Sequence, residues 1–207
     1  MVWDVLNVIG TIAFAISGAI IAMEEEYDIL GVYILGFATA FGGGTVRNIL
    51  IDLPLSHIWQ QNILFYIAIL VIGIVFFLPN SWIESYSKWA WGVFFDAIGL
   101  GAFAIQGALY AYNMNHPLIA VVVAAALTGA GGGVIRDLLA RRQPLILKKE
   151  MYAVWAMMGG LIVGLGLANH DILLYFVLAL IVACRMLAHH YGWQLPRKKR
   201  KGEESSA

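Results

Sequence analysis

Two stretches of the chain are copies of each other in one register, and such a duplication fixes how many units were joined and where they meet. IGTIAFAISGA followed by FGGGTVRN recurs 89 residues on as IGLGAFAIQGA followed by AGGGVIRD. Gly10, Phe14 and Gly18 return as Gly99, Phe103 and Gly107. Gly42, Gly43, Gly44 and Arg47 return as Gly131, Gly132, Gly133 and Arg136, while Asn48 becomes Asp137.

The repeated unit belongs in lipid. With 61% apolar and 13% charged residues the chain cannot cover itself in polar surface. A spanning helix needs about 20 mostly apolar residues. Seven segments qualify, near residues 5–23, 29–50, 62–79, 91–112, 118–139, 151–168 and 171–190. The first lacks a basic flank and belongs to the repeat, so it reads as a span and not as a cleaved leader. Three spans per copy make the second copy enter from the opposite side. The expected fold is therefore an all-α membrane protein of seven transmembrane helices, two inverted three-helix repeats plus one extra helix. The units fall at residues 1–90, 91–169 and 170–190, with a basic tail at 191–207.

Formal net charge is zero, but its distribution is uneven. Arg141, Arg142, Lys148 and Lys149 follow span five, and Arg197, Lys198, Lys199, Arg200 and Lys201 follow span seven. Seven spans put both groups on one side, which the positive-inside rule assigns to the cytoplasm, with the N-terminus outside. Lys88 agrees with this side. The tail is a candidate contact for anionic lipid, or a plain stop-transfer flank. Trp82, Tyr86, Trp89 and Trp91 read as interfacial anchors. Glu24, Glu25, Glu26 and Asp28 form either a solvated loop or a cation-concentrating mouth. Cys184 is the single cysteine and reads as packing, so no intrachain disulfide is available. No phosphate loop, zinc-binding histidine pair or nucleophile elbow is present, so enzymatic chemistry, a cofactor, a metal centre or a nucleic-acid footprint has no foothold.

Polar residues inside the spans carry the functional reading. Three consecutive glycines weaken a helix by about 1 kcal/mol each relative to alanine. The triplets are accordingly expected to break or sharply kink spans two and five, about 5 Å to either side of the midplane by helical rise. The alternative is that they only allow close helix crossing. Arg47 and Arg136 need partners at membrane depth. Asp96 lies at the depth of Arg136 and is its expected ion-pair partner, whereas the equivalent Asn7 leaves Arg47 to backbone carbonyls and an amide. Spans one and four share a stripe, Asn7, Gly10, Phe14 and Ser17 against Asp96, Gly99, Phe103 and Gln106. Ser17, Gln106, Thr39 and Thr128 are candidate pore-lining groups, although Ser and Thr also bond within their own helices.

The paired GGGxxR[N/D] segments, the preceding FAxxGA segments and the seven spans resemble the trimeric intracellular cation channel family in its short prokaryotic members, also grouped as a glycine-transporter domain family. The resemblance covers about residues 3–190. It implies a homotrimer with one pore per protomer, permeable to monovalent cations and chiefly potassium. It carries pore and kink roles to Gly42, Gly43, Gly44, Arg47, Gly131, Gly132, Gly133, Arg136 and Asp137. Asn48 departs from the acidic residue that would complete the first motif. The rival is a carrier for a small amino acid such as glycine, with helix N-termini binding its carboxylate.

Overall fold

The structure is a computed structural model that describes residues 2–54, 56–79, 91–148, 151–168 and 170–196. The expected positions of Trp82, Tyr86, Lys88, Trp89, Lys149 and the tail basic residues Arg197, Lys198, Lys199, Arg200 and Lys201 lie outside the described residues. Helices run α1 Val2–Glu24, α2 Ile29–Leu50, α3 Ser56–Trp59, α4 Asn62–Phe76, α5 Trp91–Asn113, α6 Leu118–Leu139, α7 Leu145–Lys148, α8 Tyr152–Gly164 and α9 Asp171–His190. All seven expected spans have a helix.

Among the described residues α1, α2, α5, α6 and α9 are long and apolar enough to cross a membrane. The third helix of each repeat is shorter than read from the sequence. Helix α4 has 15 residues and α8 has 13, or about 22 and 20 Å of rise. Local chemistry explains both ends. Pro79 follows α4, and a residue before proline is pushed out of the helical region. After α8, Gly166 adopts φ 70° and its amide returns to the Val163 carbonyl, a left-handed helix stop.

The duplication extends to backbone detail. Glu26 and Asn115 have φ 57° and 58°, and Asp52 and Arg141 have 56° and 55°. These are equivalent positions at equivalent helix ends. The Tyr27 amide bonds to the Ala22 carbonyl as the His116 amide bonds to that of Ala111. Short helix α7 repeats α3.

Contacts between the repeats are reciprocal, which is what a two-fold relation produces. A methyl group on Gly10 would meet the Phe103 ring, and one on Gly99 would meet the Phe14 ring. Phe14 and Phe103 themselves pack edge to face with centroids 5.3 Å apart. A methyl on Gly43 would collide with the Thr128 carbonyl oxygen, and one on Gly132 with the Thr39 carbonyl oxygen. Both repeats thus meet along α1, α2, α5 and α6, with α4 and α8 outside them and α9 against α5 and α8. Leu30, Ile63, Tyr66, Ile119, Ile172 and Phe176 stand exposed on the outside, an apolar surface suited to lipid.

Neither second helix is broken at its triplet. Helices α2 and α6 run without interruption through Gly42, Gly43, Gly44 and Gly131, Gly132, Gly133. Nor do the triplets stand apart across the midplane, because a methyl on Gly131 would lie 3.1 Å from the Gly43 Cα. They meet at the α2–α6 crossing. Small residues let two backbones approach closely, and the packing gained there offsets the poor helical propensity of glycine.

Candidate functional site

Each repeat ends its second helix with a glycine triplet, two residues and an arginine, so both guanidinium groups point into the interface about one turn beyond the crossing. Their surroundings are equivalent in position and different in charge.

Arg136 is 2% exposed. Its Nη1 donates to Asp96 Oδ1 at 2.7 Å and to Ser17 Oγ at 2.6 Å. Its Nε and Nη2 both reach Asp137 Oδ1 at 2.8 Å. The other Asp137 oxygen accepts from the Leu145 amide at 3.1 Å and so ties the start of α7 to the cluster. Tyr152 of α8 is buried beside these groups, and the Arg185 guanidinium of α9 lies 4.9 Å from the centre of its ring. Two arginines and two aspartates thus come together in a dry region, with charges that cancel. A buried pair of this kind is held by mutual attraction, and removing one member leaves the other uncompensated.

Arg47 is buried as well, yet no carboxylate meets it among the described residues. Its Nε and Nη2 donate to Asn48 Oδ1 at 3.0 and 2.7 Å. Its guanidinium stacks 4.0 Å from the centre of the Tyr110 ring, a cation–π contact. A cavity of about 20 Å³ opens beside it, lined by Asn7, Thr11, Gly44, Gln61, Gln106 and Thr128 among others. That is enough for about one water.

The expected Arg136–Asp96 pair forms. The expectation for Arg47 does not hold: Asn48 and Tyr110 contact it, and among the described residues no backbone carbonyl does. The reason is the unbroken helix, which leaves no freed carbonyls at the triplet. Asn7 lines the cavity without bonding to Arg47. Ser17 and Gln106 sit at equivalent positions; Ser17 bonds to the arginine of the other repeat, and Gln106 lines the cavity beside Arg47. Thr39 and Thr128 donate to the Leu35 and Ala124 carbonyls of their own helices at 2.6 Å. That is the self-satisfied arrangement open to Ser and Thr in such helices.

Tyr110, Tyr152 and Arg185 escaped the sequence reading. Arg185 carried a usable signal, an ionisable residue in an otherwise apolar span; the tyrosines carried none. The acidic run after α1 is also engaged. Arg142 donates to Glu25 at 2.6 Å and to Glu24 at 2.9 Å. Partial burial works against the Arg142 charge, but the two carboxylates outweigh it and raise its pKa. The ends of α1 and α6 therefore share one face of the molecule, as the odd-numbered spans of an alternating bundle should.

Comparison with known proteins gives the same architecture. A family model described as "Glycine transporter" matches twice, at residues 4–80 and 93–168. The UPF0126 membrane protein YvgT of Bacillus subtilis is 60% identical over 96% of this chain and 97% of its own. A chain solved to explain conductance through TRIC cation channels is 38% identical, with a TM-score of 0.83 over 97% of this chain and 99% of that one. A prokaryotic TRIC channel crystallised in 0.5 M KCl is 33% identical, with a TM-score of 0.83 over 94% and 99%.

Proposed function

Because the chain belongs to the glycine-transporter domain family, with one copy of the domain in each repeat and the fold of the trimeric intracellular cation channels, we propose that it conducts monovalent cations passively. Potassium is the main ion, and each protomer of a homotrimer carries its own pathway. The observation that supports this reading most is the line of polar groups enclosed between the repeats of a single protomer. The Arg47 cavity lies on one side of the glycine crossing and the Arg136 cluster on the other.

In this conformation the pathway is shut. The space around Gly133, Arg136, Asp137 and Tyr152 has no room for a water molecule. Displacing Arg136 from Asp96 would open that end and turn the Asp96 and Asp137 carboxylates toward a passing cation, replacing part of its hydration shell. Arg136 then acts as a gate and the carboxylates as the attractive groups. Gly42, Gly43 and Gly44 with Gly131, Gly132 and Gly133 set how closely α2 and α6 stand, and hence the width of the route. Ser17, Thr39, Gln106 and Thr128 flank it.

The functional units are residues 1–90, 91–169 and 170–190, with the tail at 191–207. The membrane is a prokaryotic plasma membrane, with the N-terminus outside and the C-terminus in the cytoplasm. Liposomes that contain the purified protein test the reading. The expected result is potassium efflux down its gradient without a co-substrate. Saturable glycine uptake with no potassium leak would instead support the carrier suggested by the family's description.

A further inference from the structure

The two arginine sites are copies in which one has lost its negative charge. Around Arg136, Asp96 and Asp137 supply carboxylate oxygens. At the equivalent positions Arg47 has Asn7 and Asn48. The guanidinium remains charged, since arginine does not deprotonate in proteins. Stacking on Tyr110 and one amide oxygen do not neutralise it. A buried cation without a counter-charge is costly at membrane depth.

Two further features of the Arg47 site point the same way. Gln106 is 2% exposed and lines the cavity, and its Nε2 has no hydrogen-bond acceptor among the described residues. A buried donor beside the Arg47 charge is thus left without an acceptor. The cavity itself measures about 20 Å³. It has room for one small sphere and is too tight for a polyatomic solute.

We propose that this cavity binds a single halide ion, chloride in the cell, held by the Arg47 guanidinium and the Gln106 amide. The ion takes the place that the Asp96 carboxylate occupies beside Arg136. It serves as the missing counter-charge of the first repeat and so stabilises the folded bundle whether or not the protein conducts. Conduction is not assumed, so failure of the channel reading would leave the halide site intact, and the reverse also holds.

The test uses the purified full-length protein in detergent. Its thermal unfolding midpoint is followed as potassium chloride or bromide replaces potassium gluconate at constant ionic strength. Crystals grown in bromide are examined for anomalous scattering. The expected results are a saturable rise in the midpoint with either halide and one bromide peak between Arg47 and Gln106. Gln106→Leu removes a hydrogen bond to a charged ligand and should weaken the halide response roughly tenfold or more. Asn7→Asp supplies a tethered carboxylate, so it should raise the midpoint in gluconate and abolish the response to halide. If Asn7→Asp does not fold, Gln106→Leu and the bromide peak decide. Equal midpoints in chloride and gluconate with no bromide peak at Arg47 would overturn the proposal. So would a halide response unchanged by Gln106→Leu, or a rise produced by glycine and not by chloride.

Discussion

Asp96 and Asp137 make Arg136 part of a neutral cluster, and two asparagines at the matching positions leave Arg47 beside a cavity. Small changes at these positions should therefore have large and unequal effects. Asp96→Ala should cost about 3 kcal/mol of stability, at the low end for a broken buried pair because Asp137 remains. Adding Arg136→Gln to that change should recover most of the loss, since no uncompensated charge is then buried. Unfolding in mixed micelles measures both, and a double variant no more stable than the single one would remove the ion pair from the account. How much of this site could be read from the sequence depended on register. Residue spacing placed Asp96 at the depth of Arg136, because both lie on helices counted from known ends. Spacing could not reveal that Ser17 crosses to the other repeat's arginine, or that Tyr110 stacks on Arg47, because those contacts depend on how the repeats dock. Asn48 and Asp137 were visible as neighbours of the arginines, but their hold on the adjacent guanidinium follows from side-chain geometry alone.

The glycine triplets show where local propensity misleads. Counted residue by residue, three glycines argue for a break; packed against a second triplet they form a crossing in an intact helix. Single alanine substitutions should separate positions within a triplet. Gly43→Ala and Gly132→Ala each drive a methyl into a carbonyl of the facing helix, and should cost about 1–3 kcal/mol as overpacking. Gly44→Ala meets only the end of the Arg47 side chain at 3.7 Å. It should fold normally and gain up to about 1 kcal/mol from helical propensity. Gly133→Ala falls between, with the Tyr152 hydroxyl at 3.1 Å. Unfolding midpoints of the four variants check this order, and equal losses at Gly43 and Gly44 would mean that the crossing does not set the cost.

At the scale of the whole molecule the architecture was largely legible, because a duplicated hydrophobic pattern constrains both the number of spans and their sense. The short third helices were not, since Pro79 and Gly166 stop them inside segments that remain apolar. Assembly follows from family membership more than from any spacing, and the account expects a trimer. Native mass measurement in mild detergent should give three chains per particle, and monomers or dimers alone would contradict it. The central claim is passive cation movement through the interior of each protomer, and unitary current recorded from the purified protein in a planar bilayer under a potassium chloride gradient tests it most directly. The account predicts discrete openings whose current reverses close to the potassium equilibrium potential. Reversal at the chloride potential, or a silent bilayer from protein that is folded and trimeric, would contradict it.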